Sequence, residues 1–132
     1  MISVVFSTRK DNQKHIKHIK ETSGIYKDLE VIQYINDGEY SLTQLYNKAL
    51  KETTNDIVVF CHDDIIFETN NWGNKILKHF KRNPNYGILG KAGTKYMPKS
   101  GMWWDNGMTE VVGQVWHQHN DKKWLSKYNE FF

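Results

Sequence analysis

The sequence predicts an α/β fold with a mostly parallel central sheet. Short apolar segments alternate with helical patterns from Ile2 to Gly90, in the order β-α-β-α-β-α-β. Alternation of this kind is typical of parallel sheets with helices on both faces. Polar residues also follow each of the first three apolar segments, and the ligand crevice of such a sheet lies outside the carboxyl ends of its strands.

The first two strands and the helix between them have clear local signals. Ile2 to Phe6 is a short β-rich run that predicts a buried strand, followed by a polar loop over residues 7–9. A mostly exposed helix is predicted over Lys10–Thr22, and Gly24 suits its end. The segment 29–35 (LEVIQYI) predicts the second strand, with Asn-Asp-Gly after it as a turn.

The second helix and the third strand are the next predicted elements, and polar residues follow the third strand. Residues 41–52 carry apolar side chains at i, i+3, i+4, i+7 and i+8, which predicts an amphipathic helix with Ser41 as its N-cap. Asp56–Cys61 predicts a third strand, covered on both faces because it is apolar after its first residue. It runs directly into His62, Asp63 and Asp64. Burying ionised carboxylates without partners is costly, so the pair is expected where a ligand or metal can satisfy it.

The rest of the chain is less regular. A third helix is predicted over about Asn71–Arg82, closed by Pro84, and a fourth strand is predicted to start at Gly87–Gly90. Beyond it we expect a loop, a short strand around Thr109–His117, and then a polar tail or short helix. The predicted organisation is one domain overall, with an α/β core over residues 1–95 and a partial second region over 96–132.

Composition narrows the class of ligand and the compartment. The chain has 132 residues, 39% of them hydrophobic and 25% charged, and a net charge of +3. This mild charge suits an anionic small ligand such as a nucleotide and predicts no nucleic-acid partner. The single cysteine, Cys61, allows no disulfide within the chain, and Ile2–Phe6 is too short for a signal sequence or a membrane span. A cytoplasmic location is therefore expected.

Several chemistries are disfavoured by the residues themselves. After the first strand the sequence reads STRKDN, which is neither a GxGxxG fingerprint nor the Gly-rich basic loop of a nucleotidyltransferase, and the chain has no Walker A loop. A phosphatase with the DxD arrangement is disfavoured because Asp63 and Asp64 are adjacent. A carboxylate pair is instead suited to Mg²⁺ or Mn²⁺, which commonly use one or two carboxylates together with substrate phosphates.

An ordered set of segments resembles a known family. VVFSTR, VIQYINDG, LYNKAL, DIVVFCHDDIIF, and WGNKILKHF followed by YGILGKAG resemble the N-terminal part of a GT-A type, family two-like bacterial glycosyltransferase over about residues 1–95. The resemblance implies a GT-A-like α/β/α sandwich whose C-terminal part is truncated in this chain. It implies metal-assisted transfer of a sugar from a nucleotide-diphosphate donor, preferably a UDP-sugar, to a hydroxyl of a saccharide or lipid-linked acceptor, usually with inversion.

The resemblance also assigns residues. It implies donor binding by Ser7, Arg9, Asp37 and Asp63, a metal ligand at Asp64, and supporting roles for His62 and Asn47. His62 stands where relatives often have an acid. The divalent metal is expected to be Mn²⁺ or Mg²⁺, and attachment at the inner face of the membrane is an open possibility.

Simpler interpretations stay open for these residues. Asp63 and Asp64 could form only a turn or helix cap, Asp37 could be only a turn former, and Ser7 and Arg9 could be plain loop residues. His62 fits a structural role better than a ligand role. A non-catalytic nucleotide-binding module acting through a partner is the main functional alternative.

The sequence does not identify the catalytic base. The family's second half supplies the acceptor pocket and the base, and no recognisable base motif follows the fourth predicted strand. The candidate bases are Asp105, Glu110, His117 and His119. An apolar surface rich in Trp103, Trp104 and Trp116 is expected to promote self-association, although stacking of tryptophans on sugar rings is an alternative.

Overall fold

The computed structural model describes residues 1–102, 105 and 110–128. The chain divides into two compact units, Met1–Pro84 and Asn85–Phe132. The predicted division at residue 95 concerns the donor and acceptor roles of the two regions, and it stays a prediction.

The first unit contains a three-stranded parallel sheet in the order β2-β1-β3. Its strands are β1 (Ile2–Thr8), β2 (Leu29–Ile35) and β3 (Ile57–Phe60). The register places Val4 of the central strand opposite Val31 on one side and Val59 on the other. The predicted α/β class is confirmed, with three parallel strands rather than four.

Three helices connect and cover these strands, α1 (Gln13–Ser23), α2 (Leu42–Glu52) and α3 (Trp72–Arg82). Helix α2 begins with a full capping box, in which the Ser41 side chain accepts from the Gln44 N–H and the Gln44 side chain accepts from the Ser41 N–H. Helix α1 begins after Asn12, whose side chain caps the His15 N–H, and ends at Gly24 with φ +74°. The predicted helix positions are therefore confirmed, with α1 starting three residues later than expected.

The two faces of the sheet have different cores. On one face, Ile2, Val4 and Phe6 are fully buried and form a cluster with Ile19 of α1 and Trp72 of α3. Because side chains alternate along a strand, Val5 and Phe60 belong to the opposite face. There the Phe60 ring stacks on Tyr46 of α2 with centroids 4.4 Å apart. Helices thus cover both faces of the sheet, as the alternating pattern predicts.

Two boundaries in the first unit correct the sequence prediction. Strand β1 continues through Ser7 and Thr8 because these residues pair with Tyr34 and Ile35 of β2, so they are not loop residues. Strand β3 lies at the edge of the three-stranded sheet, and its residues are only partly buried, with Phe60 37% exposed. The expected coverage of β3 on both faces is therefore only partial.

The second unit is an antiparallel sheet in the order β4-β5-β6. Its strands are β4 (Ala92–Thr94), β5 (Val111–His119) and β6 (Lys122–Lys127). Residues 87–90 form no strand, and β4 pairs antiparallel with β5, so the predicted fourth parallel strand is wrong. The predicted polar tail or short helix is also wrong, because residues 122–127 form the second strand of a hairpin.

Candidate functional site

The topology of the first unit creates a crevice at one end of β1. The chain leaves β1 for β2 on one side and later returns to pair β3 on the other side, so the strand order reverses at β1. Ligands of parallel sheets commonly bind at such a switch point, beyond the carboxyl ends of the strands. A cavity of about 590 Å³ lies there, and it is lined by Ser7, Thr8, Arg9, Lys10, Asp11, Asn12, Asn36 and Asp63.

Three of the predicted donor-binding residues, Ser7, Arg9 and Asp63, line this cavity together. Asp37 is exposed in the loop after β2, where its neighbour Asn36 lines the cavity instead. The roles assigned to these residues stay predictions, although the structure brings the three side chains to one place.

The other predicted residues lie outside the cavity lining. Asp64 and His62 are exposed beside Asp63, and Asn47 is exposed on α2. Asp64 is thus one residue from the cavity, whereas Asn47 lies on a helix that contributes none of its lining.

The carboxylates sit on a turn that we call the acidic turn, His62–Ile65. The Ile65 N–H points to the His62 carbonyl oxygen at 3.5 Å, with Asp63 and Asp64 at the two central positions. The Asn12 side-chain amide lies 3.5 Å from the Asp63 carbonyl oxygen. The two carboxylates therefore leave the sheet immediately after β3, as the interrupted apolar run indicates.

Sequence reasoning missed a polar network between β1 and α1. The Asn12 N–H donates to Gln33 Oε1 at 2.8 Å, and the Gln33 amide donates to Asp11 Oδ1 at 2.8 Å. Hydrogen bonds from the side chains of Gln33 and Gln13 lower the pKa of Asp11. This network fixes the segment 9–12 at the cavity. The only local sequence signal for this network is the polar stretch STRKDN, which does not indicate which residues form the hydrogen bonds.

The loop after β2 is also fixed by an asparagine. The Asn36 side-chain amide forms two hydrogen bonds with the Tyr40 main chain. Its NH₂ group donates to the Tyr40 carbonyl at 2.9 Å, and its oxygen accepts from the Tyr40 N–H at 3.0 Å. The Asn36 N–H donates to Thr8 O at 2.8 Å, which ties the loop to β1. The structure therefore gives Asn36 a defined place at the cavity, next to the predicted Asp37.

The charges around the cavity are mixed. Arg9 and Lys10 are exposed at its wall, and no ion pair within the described residues engages either of them. The acidic residues Asp11 and Asp63 belong to the same lining. A wall with cations and carboxylates can contact both the phosphates and the hydroxyl groups of a nucleotide.

Two titratable groups near the acidic turn have shifted pKa values, His15, which is buried, and Cys61, which is partly buried. Burial lowers the pKa of His15, the neighbouring His18 lowers it further, and Asp63 opposes this shift. Among the described residues, none forms a hydrogen bond with the buried His15 Nε2, and the ring meets Phe6 edge-on at 4.8 Å. Burial also raises the pKa of Cys61 to about 12, so this thiol is protonated and unreactive at neutral pH.

The candidate bases lie in the second unit. Glu110 pairs with Lys95 at 3.2 Å, Asp105 is exposed, and the His117 ring stacks on Trp124 at 5.2 Å. Trp116 is 56% exposed, as predicted for the apolar surface. Trp103 and Trp104 lie outside the described residues.

The described residues offer few ligands for a metal ion. Across residues 1–102, 105 and 110–128 there is no group of three or more His, Cys, Asp or Glu side chains that could hold a metal ion. The described carboxylates near the cavity are those of Asp11 and of the acidic turn, hard oxygen ligands suited to Mg²⁺ or Mn²⁺. These residues fit a cation that shares its coordination with phosphates, not one held by the protein alone.

Comparison with known proteins identifies the family of the chain. The model of a family described as "Glycosyltransferase like family" matches residues 2–130, so the chain belongs to this family. It is a protein of the glycosyltransferase kind, which implies in general a nucleotide-sugar donor and an acceptor. No match is found among curated proteins, and none among solved structures. Among the helices of the described residues, none has the length and apolar character needed to cross a membrane.

Proposed function

We propose that the chain binds a nucleotide sugar, with UDP as the preferred nucleotide, in the cavity at the carboxyl ends of β1, β2 and β3. Transfer of the sugar to a saccharide or lipid-linked hydroxyl would follow. The observation that carries this proposal is the 590 Å³ cavity at the strand switch point, lined by both cations and carboxylates. Its size falls within the range typical of small-molecule sites.

The cations at the cavity wall suit the diphosphate. Arg9 presents a planar guanidinium that can contact phosphate oxygens through two N–H groups, and Lys10 adds a second positive charge. The side-chain hydroxyl of Thr8 already donates to Lys10 O at 3.1 Å, so it serves the loop rather than the ligand. Ser7 is the hydroxyl at the cavity for which we propose a donor-binding role.

The carboxylates suit the ribose and the metal. Asp63 lines the cavity and can accept hydrogen bonds from sugar hydroxyls, while Asp64 at the next position is the proposed ligand of Mn²⁺ or Mg²⁺. When bound, the cation would act as a Lewis acid and neutralise charge on the departing diphosphate. His62 and Asn47 are proposed only as supporting residues.

A donor-binding module without catalysis is the second candidate. The observation that favours it is that all eight cavity-lining residues, from Ser7 to Asp63, belong to the first unit alone. The proposed nucleotide site is therefore formed by residues of the first unit. Deprotonation of an acceptor hydroxyl by a general base typically supplies about 10²- to 10⁴-fold in rate, so a chain without that base would bind the donor and transfer slowly.

Calorimetric titration with UDP, in Mn²⁺ and in EDTA, tests the donor site. We expect UDP affinity to rise at least about tenfold with Mn²⁺, because the bound diphosphate completes the coordination that one or two carboxylates leave open. Asp64→Asn should remove this gain. Asp121→Asn serves as the control, since Asp121 is an exposed carboxylate in the β5–β6 turn. Equal UDP affinity with and without Mn²⁺ in the unmodified protein would contradict the proposal.

A transfer assay separates the two candidates. The purified chain is incubated with UDP-sugars and a panel of saccharide and lipid-linked acceptors, and its mass in solution is measured in parallel. Transfer that depends on Asp64 supports the enzyme, whereas metal-dependent UDP binding without transfer supports the binding module.

A further inference from the structure

One side of α1 follows the chain segment that contains the acidic turn. Asn12 at the helix N-cap lies against Asp63, and His18 and Thr22 contact residues further along the segment. His18 and Thr22 are four residues apart and therefore lie on neighbouring turns of one helix face, while Asn12 precedes the first turn as the N-cap. Helix α1 therefore contacts the segment that follows the acidic turn, in addition to connecting β1 and β2.

The contact made by His18 is a hydrogen bond to the main chain. Its Nε2 accepts from the Phe67 N–H at 2.9 Å, three residues after Asp64. A ring nitrogen accepts only when it carries no proton, so this geometry assigns the neutral tautomer with hydrogen on Nδ1. The bond joins a side chain of α1 directly to the backbone that leaves the acidic turn.

Packing keeps Phe67 in place. Its ring stacks on Trp72 with centroids 4.7 Å apart, and Trp72 is 5% exposed. The Trp72 indole N–H donates to Thr22 Oγ1 at 3.1 Å, and the Asn71 N–H donates to Thr22 O at 2.7 Å. The segment after the acidic turn is therefore fixed to α1 from Phe67 to Trp72.

The segment before the turn is fixed independently. The Cys61 N–H donates to Val5 O at 3.1 Å, and the Tyr46 hydroxyl donates to Cys61 O at 3.3 Å. Between Cys61 and Phe67, Ile65 and Ile66 are 41% and 60% exposed and add little packing. The acidic turn is therefore held at its two ends, and within it the Asn12 amide lies 3.5 Å from the Asp63 carbonyl oxygen.

We propose that His18 is a positioning residue for the acidic turn: its hydrogen bond to Phe67 sets where Asp63 and Asp64 are presented beside the cavity. The consequence for ligand binding rests on the function proposed above, whereas the positioning itself does not. Removal of the acceptor nitrogen should release the turn while the cluster around Trp72 stays in place.

The test compares substitutions at His18 by NMR without ligand. His18→Leu removes the acceptor at similar volume, His18→Gln offers an amide oxygen in its place, and His119→Leu is the control on an exposed histidine of β5. In His18→Leu, exchange of the Phe67 amide hydrogen should accelerate at least about tenfold, and the Asp63 and Asp64 amide resonances should shift. His18→Gln should restore both, and His119→Leu should change neither. In the unmodified protein, the ¹⁵N shift of His18 Nε2 should be that of an unprotonated acceptor.

The second readout is ligand affinity. With Mn²⁺ present, His18→Leu should weaken UDP binding roughly tenfold, and His18→Gln should recover most of it. His18→Ala provides a second acceptor-free variant if His18→Leu fails to fold, because alanine favours the helix.

Each outcome decides the proposal. Unchanged Phe67 exchange, or unchanged Asp63 and Asp64 resonances, in the folded acceptor-free variants would overturn the positioning role. A shifted turn with UDP affinity equal to that of the unmodified protein would confirm the positioning and overturn only its consequence for ligand binding. If the unmodified protein binds no UDP, the proposed function fails, while amide exchange and the Asp63 and Asp64 resonances still confirm or overturn the positioning role.

Discussion

His15 should make the stability of the protein sensitive to mild acid. Its folded-state pKa lies below the ordinary value of 6.5, mainly because the ring is buried. As the pH falls through 6.5, the unfolded chain therefore takes up this proton before the folded protein does. Protonation then favours unfolding, and the stability present above pH 6.5 is lost progressively towards the lowered folded-state pKa.

Proton linkage sets an upper limit on how much His15 can change the free energy of unfolding. One proton taken up only by the unfolded state changes the free energy of unfolding by at most about 1.4 kcal/mol per pH unit. Between pH 7.5 and 5.5, His15 can therefore cost up to about 1.4 kcal/mol, since its effect begins only near pH 6.5. This is a substantial part of the roughly 5–15 kcal/mol that stabilises a typical domain.

The substitution that isolates this contribution is His15→Phe. Phenylalanine keeps an aromatic ring against Phe6 and removes both the titration and the buried Nε2 without a described partner. Urea unfolding in EDTA at pH 7.5 and 5.5 gives the free energy of unfolding, and an unchanged m-value shows that the unfolded states are comparable. Exposed His119→Gln is the matched control, because its ring is already in solvent.

We expect the variant His15→Phe to lose less stability than the unmodified protein on acidification, and His119→Gln to behave like the unmodified protein. The reasoning is refuted if the unmodified protein and His15→Phe lose equal stability between the two pH values. A larger loss in His15→Phe would show that protonation of His15 stabilises the folded state instead.

Two further predictions concern single positions. Burial raises the pKa of Cys61 from 9.0 to about 12, so its thiolate fraction at pH 8 should fall roughly 10³-fold. A thiol reagent should therefore modify Cys61 in the folded protein far more slowly than in the urea-unfolded chain. Equal rates of modification would contradict the burial of Cys61. Gly113→Ala should destabilise the β4–β5 pairing by about 1–3 kcal/mol, because Gly113 has φ +110° and an added Cβ would lie 2.3 Å from Lys91 O. Amide exchange in β4 measures this, with Gly93→Ala as the control in open space, and equal exchange in the two variants would refute it.

Local patterns were sufficient where the determinants are close in sequence. Strand β2 and helix α2 have the predicted bounds, since an apolar run followed by Asn-Asp-Gly and a capping box at Ser41 are local signals. The extension of β1 through Ser7 and Thr8 has no such signal, because it depends on pairing with β2. The β5–β6 hairpin was likewise missed where its second strand depends on cross-strand partners.

In the candidate site, too, local sequence patterns predict some features, whereas others depend on contacts between distant residues. Parallel alternation is enough to predict that the ends of β1, β2 and β3 meet, and the cavity lies there. Which of two adjacent residues lines the cavity depends on the local backbone: Asn36 lines it rather than the predicted Asp37, and of the two predicted carboxylates Asp63 lines it and Asp64 does not. The hydrogen bond between His18 and Phe67 joins residues 49 positions apart, and no periodicity indicates it.

The central position of β1 has a consequence for the order in which the chain is synthesised. Ile2 pairs with Leu29 on one side and with Ile57 on the other, 55 positions further along the chain. During translation the most buried strand of the sheet is made before its partners, and one of its edges has no partner until β3 leaves the ribosome. Throughout that interval the exposed edge can pair with another nascent chain. Rapid elongation through residues 36–60 should consequently favour soluble protein, and a translational pause there should favour aggregation.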